Sequence, residues 1–295
     1  MRSCCLVLAA SLTACMMSEP ESVDETTQDV DTTNGRSLNG TSLNGTSLNG
    51  RSLNGRSLNG TSVNGRSLNG TSLSAISTTA PPVTGASVVG STWTGTASDG
   101  TSLPLRIDSA VQGTDKNSDL WFYNVSYQTT TGWSPICGTD ATGAPILAVP
   151  VAGVWSALTT DSAHYAASTT SYTWACRGKS VAKCVELGYK TFKGYTDGMR
   201  ACVRLLRADY CGTGQSHTVD GTLLNLYDKY GVQLDTEAWG AEAVWGVSGA
   251  VCVNANNRTR YQLAQQSEPT CVVPLVSATC GSSYPTGGLL IDELP

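Results

Sequence analysis

The sequence predicts a mainly β domain with one or two short helices, cross-linked by disulfides and preceded by a five-residue repeat. Three observations predict this fold class: apolar and polar residues alternate over several short stretches, 31 of the 295 residues are glycine, and eight cysteines lie beyond residue 130. Alternation is typical of half-buried strands. A glycine-rich chain without long helical periodicity favours strands and turns.

The first 14 residues predict export. A positive start at residues 1–3 precedes an apolar run over residues 4–12, which is too short to span a bilayer as a stable helix. Small residues come next, as in a secretory signal peptide. We therefore expect a signal peptide at residues 1–14.

Cys15 ends the stretch Leu12-Thr13-Ala14-Cys15, which resembles the bacterial lipobox. In that motif the signal is cut before the cysteine, whose sulfur then carries a diacylglycerol. The alternative is an ordinary signal peptide that contains Cys15 by coincidence. Met16 stands where inner-membrane sorting in Gram-negative bacteria uses aspartate, so the resemblance implies a cell-envelope lipoprotein anchored to the outer membrane.

Eight cysteines remain once Cys4 and Cys5 leave with the signal peptide and Cys15 is lipidated. An even number in an oxidising compartment favours four disulfides, although the sequence does not choose among the possible pairings. The candidates are Cys137, Cys176, Cys184, Cys202, Cys211, Cys252, Cys271 and Cys280.

Three segments precede the domain. Residues 15–33 form an acidic leader with almost no large apolar side chains, so we expect it to be disordered. Residues 34–73 contain eight Asn-Gly-x-Ser-Leu units, with valine replacing the leucine once. Residues 74–84 include the Pro81-Pro82 pair and are predicted to be a linker to a domain at 85–295.

Two interpretations of the repeat stay open. It resembles pentapeptide-repeat proteins, in which five residues form one side of a short β-solenoid and the central leucine points inward. Arginine at positions 36, 51, 56 and 66 opposes this, because burying unpaired arginines in a narrow tube is costly. The alternative is a disordered Asn-Gly-Ser stalk.

Within the domain, alternation predicts strands around residues 103–107 and 121–127, with a hairpin turn at residues 99–101 before the first of them. Further strands are expected at Ile146–Val151, Tyr172–Cys176 and Ala250–Val253.

Two short helices are predicted. Ser180 is expected to cap the first, which carries Cys184 on an apolar face and ends near Gly188. The second begins near Thr196 or Asp197 and carries Cys202. We expect each cysteine to join its helix to a neighbouring strand.

Residues 173–190 and 201–228 contain "TWACRGKSVAKCVELGYK" and "ACVRLLRADYCGTGQSHTVDGTLLNLYD". These stretches, with "TGWSPICG" at 131–138 and "AVWGVSGAVCV" at 243–253, closely resemble the ADYC-domain proteins of myxobacteria and relatives. The similarity covers nearly all of residues 85–295. It implies a family motif at Ala208, Asp209, Tyr210 and Cys211 but no mechanism.

Cys211, His217 and Asp220 could in principle form a nucleophile, base and orienting carboxylate. The even cysteine count instead favours Cys211 in a disulfide, with Asp209 capping backbone amides or pairing with Arg204 or Arg207. His217 is then expected to be a hydrogen-bonded structural residue. A carboxylate pair of glycosidase type has no local signature, and the unranked acids are Glu186, Asp197, Asp209, Asp220, Asp228, Asp235, Glu237 and Glu242.

The composition argues against several partners. A net charge of −5 with only 18 Lys and Arg residues offers no basic surface for nucleic acid. His164 and His217 are too few for a histidine zinc site, so we expect no metal and no cofactor. Most tryptophans are expected in or beside the core, although exposed ones could stack on a surface glycan.

These observations predict a cell-envelope lipoprotein whose domain does binding or structural work at the cell surface. Its partners would be the membrane, through the lipid anchor, and a surface glycan or protein ligand. The alternative is a secreted-type hydrolase that uses Asp209, His217 and Asp220.

Overall fold

The structure is a computed structural model that describes residues 85–96, 102–155, 165–168, 171–218, 221–254, 256 and 259–295, together with short strands at 30–32, 62–63, 66–67 and 72–74. The predicted signal peptide, Cys15, Asp220 and His164 lie outside the described residues.

Most regular elements are strands. In chain order the described strands are β1 Val30–Thr32, β2 Ser62–Val63, β3 Arg66–Ser67, β4 Ser72–Ser74, β5 Thr92–Thr96, β6 Ser102–Gln112, β7 Trp121–Thr129, β8 Gly132–Pro135, β9 Ala148–Ala152, β10 Val154–Trp155, β11 Tyr165–Ala166, β12 Ser171–Cys176, β13 Thr222–Asp228, β14 Gly240–Gly246, β15 Gly249–Val253 and β16 Leu290–Leu294. The described α-helices are α1 Ser180–Leu187, α2 Thr196–Arg207, α3 Thr259–Ser267 and α4 Pro269–Val272.

The strands form two main sheets. The first sheet has seven strands in the order β6-β5-β4-β12-β9-β7-β8, and β6 also pairs with β7. The second sheet has five strands in the order β1-β13-β16-β14-β15. The β1–β13 pair is parallel and the other pairs are antiparallel. In this order β16, the last of the described strands, lies at the centre of the sheet.

Helices α1 and α2 form a layer between the two sheets. The largest hydrophobic core contains side chains from both sheets and from both helices. Two further cores lie on the other faces of the sheets. Alternation along β7 accordingly sends Phe122 into the helix layer and Tyr123 and Val125 into the opposite core.

The sequence prediction of a mainly β fold is confirmed, and the predicted strands form. The prediction of one or two helices is too low, because the described residues contain α3 and α4 as well. Ser180 is the first residue of α1, and Lys179 occupies the cap position, so the expected serine cap is wrong. None of the helices in the described ranges is long and apolar enough to cross a bilayer.

The repeat is described only in part. Strands β2 and β3 form a two-stranded antiparallel pair, and β4 joins the first sheet between β5 and β12. These short strands show no solenoid, and most of residues 34–73 lie outside the described residues.

Candidate functional site

All eight cysteines of the domain are paired in disulfides. Their Cα atoms lie 5.5–5.9 Å apart, within the range that a disulfide spans. The pairs are Cys137–Cys176, Cys184–Cys202, Cys211–Cys271 and Cys252–Cys280.

The second disulfide corrects a prediction. Cys184 and Cys202 join α1 to α2, whereas each was expected to join its helix to a strand. Both side chains are fully buried in the helix layer. Cys137 and Cys176 cross-link the core of the first sheet. The helix layer and the first sheet therefore each carry a covalent link of their own.

Ala208 begins the motif Ala208-Asp209-Tyr210-Cys211 by ending α2. Its φ of 51° and ψ of 39° are left-handed, a conformation usual for glycine at this position. The Ala208 amide donates to the Leu205 carbonyl at 3.0 Å, and the Asp209 amide donates to the Arg204 carbonyl at 2.9 Å. This pair of bonds is a Schellman motif, and the buried Ala208 methyl fills space in the core that glycine would leave empty.

Asp209 is fully buried and forms an ion pair with Arg204, which is itself 1% exposed. The same carboxylate oxygen accepts a hydrogen bond from the Gly214 amide at 3.0 Å. Asp209 thus ties the last turn of α2 to the loop that comes after it. These contacts are of the two kinds predicted from the sequence, a paired arginine and a capped amide.

Tyr210 connects the motif to a cluster of buried charges. Its hydroxyl donates to Glu242 Oε1 at 2.6 Å, and its ring lies 5.0 Å from that of Trp245. The Tyr210 carbonyl accepts from the Ala250 amide at 2.8 Å. Gly249 permits this approach, because a Cβ there would lie 2.4 Å from the Tyr210 oxygen.

Glu242, Arg260 and Asp292 form the buried charge cluster, and all three are fully buried. Arg260 bonds both carboxyl groups and also donates to the Leu205 carbonyl at 3.0 Å. Asp292 Oδ1 accepts from the Trp245 indole at 2.7 Å. The cluster joins α3, β14 and β16 beneath the motif.

The pKa values of Glu242 and Asp292 shift in opposite directions. Burial and the neighbouring Glu242 charge raise the pKa of Asp292 well above 3.8. The pKa of Glu242 is lowered, because the Arg260 charge and hydrogen bonds from its neighbours outweigh burial. The charged form is therefore favoured at Glu242, the partner of Arg260, and the neutral form is favoured at Asp292. No local pattern in the sequence predicts the buried charge cluster, because Arg260 and Asp292 lie far from the motif along the chain.

The loop after the motif packs inside the fold. Cys211 is bonded to Cys271, so its sulfur is not a free thiolate. His217 is 4% exposed and donates through Nδ1 to the Ala208 carbonyl at 3.0 Å. Its Nε2 lies 2.8 Å from Ser267 Oγ and 3.6 Å from Glu268 Oε2. Asp209 and His217 are thus both buried, and Asp220 lies outside the described residues.

A family model for the ADYC domain matches residues 85–259, more than half of the chain. The chain belongs to the ADYC-domain family. No curated protein and no solved structure matches it. The match ends before α4 and β16, whereas the second sheet includes a strand that ends at Leu294.

The ADYC domain also contains a small pocket where the first sheet meets α1. Its volume is about 130 Å³. The loop between β6 and β7 closes one side, and Gly113 is required there because a Cβ would lie 2.2 Å from the Asn117 carbonyl oxygen. We call it the loop pocket, and its principal lining residues are Val111, Gln112, Thr114, Asn117, Phe122, Arg177 and Glu186.

An ion pair forms one wall of the loop pocket. Arg177 donates to Glu186 through Nε at 3.2 Å and through Nη2 at 2.8 Å. Its guanidinium carbon lies 4.2 Å from the centre of the Phe122 ring. Glu186 was one of several unranked acids in the sequence, and no motif pointed to this pocket.

Metal ligands and exposed tryptophans were also considered in the sequence. In the parts of the chain that the structure describes, no group of three His, Cys, Asp or Glu residues could hold a metal ion. Trp155, Trp174 and Trp245 are buried. Trp133 is 36% exposed, but Arg106 lies over its ring at 4.5 Å.

Proposed function

We propose that the protein is a bacterial cell-envelope lipoprotein, anchored to the outer membrane through Cys15, whose ADYC domain is a binding or structural module at the cell surface. The observation that carries the proposal is the complete pairing of the domain's eight cysteines in four disulfides. Such a set persists in an oxidising compartment, in agreement with the signal sequence and lipobox before it.

The arrangement of the motif supports a structural role for it. Ala208 ends a helix, Asp209 pairs with Arg204, Tyr210 bonds Glu242 and Cys211 forms a disulfide. Each motif residue thus has a stabilising contact inside the fold. The hydrolase alternative needs an open cleft around Asp209 and His217, and these two side chains are buried.

Metabolic labelling with an alkyne analogue of palmitate tests the anchor. We expect the full-length protein expressed in a Gram-negative host to incorporate the label and to fractionate with the outer membrane. The Cys15→Ser variant should lose the label, whereas the Cys4→Ser control should keep it, because Cys4 leaves with the signal peptide. Equal labelling of both variants, or an unlabelled wild-type protein, would contradict the proposal.

A further inference from the structure

Strand β4 is supplied to the first sheet by the repeat. Its residues Ser72 and Leu73 are the last two positions of the eighth Asn-Gly-x-Ser-Leu unit, and Ser74 follows them. β4 lies between β5 and β12, and the sheet closes on itself because β6 also pairs with β7. Removing β4 would therefore open a closed ring of six strands, which are β4, β5, β6, β7, β9 and β12.

The space that β4 occupies has walls formed by the domain. Leu73 is in register with Gly95 of β5 on one side and with Tyr172 of β12 on the other, and both of these partners are buried. We call the space between residues 95–96 of β5 and residues 171–173 of β12 the strand slot. With no strand in it, buried backbone groups on both walls would lose their hydrogen-bond partners, which is costly. The strand slot therefore requires one extended segment.

The repeat offers the same short segment many times. Serine followed by leucine occurs in seven of the eight units, and the sixth unit has Ser62-Val63. The next residue is asparagine in the first seven units and serine in the last. A strand added to a sheet is held mainly by its backbone hydrogen bonds, and its alternate side chains give the specificity. The other units therefore offer the strand slot nearly the same occupant as β4.

A shift of the chain by one unit has a small cost. Ser67 and Leu68 would then occupy the strand slot, and the connection to β5 would grow from the 17 residues 75–91 to the 22 residues 70–91. Loop closure alone lowers the population of this shifted state about 1.5-fold. The shift also breaks the β2–β3 pair, in which Ser67 is in register with Ser62. An isolated pair of two short strands is only marginally stable.

We infer that the strand slot binds the repeat units of its own chain interchangeably, so that the chain shifts through the slot in steps of five residues. One unit enters as another leaves, and the ring of strands stays closed. Because β1 pairs with β13, each step moves five residues from the connection between β1 and the slot to the connection between the slot and β5. The inference goes beyond the proposed function and does not depend on the lipid anchor.

Amide hydrogen exchange of the solubilised, oxidised full-length protein, followed by mass spectrometry, tests the inference. The variant Leu73→Asp places a charge opposite the buried Tyr172, which disfavours the eighth unit in the strand slot. We expect this variant to keep its cooperative urea transition, with protection from exchange moved from residues 72–74 to residues 67–69. Val63→Asp is the matched control in another unit, and it should leave the protection at residues 72–74.

Two further variants test the occupant itself. Deletion of residues 69–73 removes one complete unit and brings Leu68 next to Ser74, so the slot is offered Ser-Leu-Ser again. We expect an unchanged urea midpoint, because the seventh unit then fills the slot without any shift. Aspartate at all eight central positions of the repeat should abolish the cooperative transition, because it leaves no unit that fits.

Several results would overturn the inference. If Leu73→Asp loses its transition as completely as the variant with eight aspartates, only the eighth unit is bound. If the deletion variant folds while Leu73→Asp does not, the seventh unit fits the slot but the chain does not shift to it. Protection that stays at residues 72–74 in folded Leu73→Asp would also contradict the shift. Protection that rises with protein concentration, together with dimers in size-exclusion chromatography, would assign the occupant to a second copy and overturn the assignment to the same chain.

Discussion

At the scale of single residues, Arg260 has two carboxyl neighbours and neutralises one of them. Glu242 faces Arg260 through both Nε and Nη2 and receives the Tyr210 hydroxyl, so it keeps its charge. Asp292 contacts the same guanidinium but is also exposed to the Glu242 charge in a fully buried site. Because one guanidinium balances one carboxylate in this cluster, the neutral form of Asp292 is favoured.

This difference predicts unequal effects of two isosteric substitutions. Glu242→Gln removes the ionised partner of a buried arginine, and we expect it to lower the free energy of unfolding by about 3–5 kcal/mol. Asp292→Asn changes a group whose neutral form is favoured and keeps an oxygen acceptor for Trp245, so we expect the smaller cost, about 1 kcal/mol. Urea denaturation at neutral pH measures both. Equal costs would contradict the predicted difference between the two carboxyl groups.

Asp292 and Glu242 are expected to stabilise the fold over opposite ranges of pH. The raised pKa of Asp292 stabilises the fold fully below pH 3.8, and this contribution is lost as the pH rises through the raised value. The lowered pKa of Glu242 stabilises the fold above pH 4.5, and this contribution is lost as the pH falls through the lowered value. Relative to Asp292→Asn, the wild type should therefore lose stability as the pH rises from 3.8. A constant difference would contradict the assignment.

Local residue roles were more predictable than distant ones. Asp209 lies five positions after Arg204, so a pairing at the end of a helix could be anticipated from spacing. Asp292 lies 49 positions from Ala243, to whose amide it bonds, and no sequence pattern connects them. The loop pocket was missed for the same reason, because Asn117 and Glu186 meet across 69 positions.

At the scale of elements, two disulfides hold the helices in different ways. Cys184–Cys202 closes 18 positions and joins α1 to α2 within one layer. Cys211–Cys271 closes 60 positions and joins the motif to α4. Since cross-linking a longer loop removes more entropy from the unfolded chain, the second disulfide should contribute more to stability.

Paired alanine substitutions test this expectation. The chain-entropy relation gives about 3 kcal/mol for the Cys184–Cys202 link and about 4 kcal/mol for Cys211–Cys271. We expect the Cys211→Ala, Cys271→Ala double variant to be the less stable of the two in urea. Its α4 amides should also exchange hydrogen faster, because the loop after the motif would then be held beside α4 mainly by the contacts of Thr213 and His217 with Ser267 and Glu268. A larger loss of stability in the Cys184→Ala, Cys202→Ala variant would contradict this expectation.

Element prediction succeeded where the hydrophobic pattern was simple. The half-buried strands showed alternation, and α2 showed a clear apolar face. Helix α3 was missed because its buried side includes Arg260, Tyr261 and Ala264, while the apolar Leu263 is 37% exposed. The sequence predicted a single apolar face for α1. The helix is instead buried on nearly all sides, so its buried surface is wider than predicted.

At the scale of the whole molecule, the fold is a helix layer between two sheets, with a further core on the outer face of each sheet. The buried charge cluster lies where the motif, α3 and the second sheet converge. Composition and alternation could predict the class of fold, but they could not predict this layering. The reason is that β16, placed at the centre of the second sheet, comes from the very end of the chain.

The position of β16 predicts that residues 85–259, the part matched by the family model, do not fold without residues 260–295. Ending the chain at residue 259 removes the central strand, the disulfide partners of Cys211 and Cys252, and Arg260, so Glu242 would be buried without its cation. We expect such a chain to lose its near-ultraviolet circular dichroism and its cooperative urea transition. Deletion of residues 39–53, three complete repeat units, is the control and should leave both unchanged, since the described strand pairings do not include these residues. A cooperative transition in the shortened chain would mean that the second sheet is dispensable, and the layered core would then have to be stable with only one sheet.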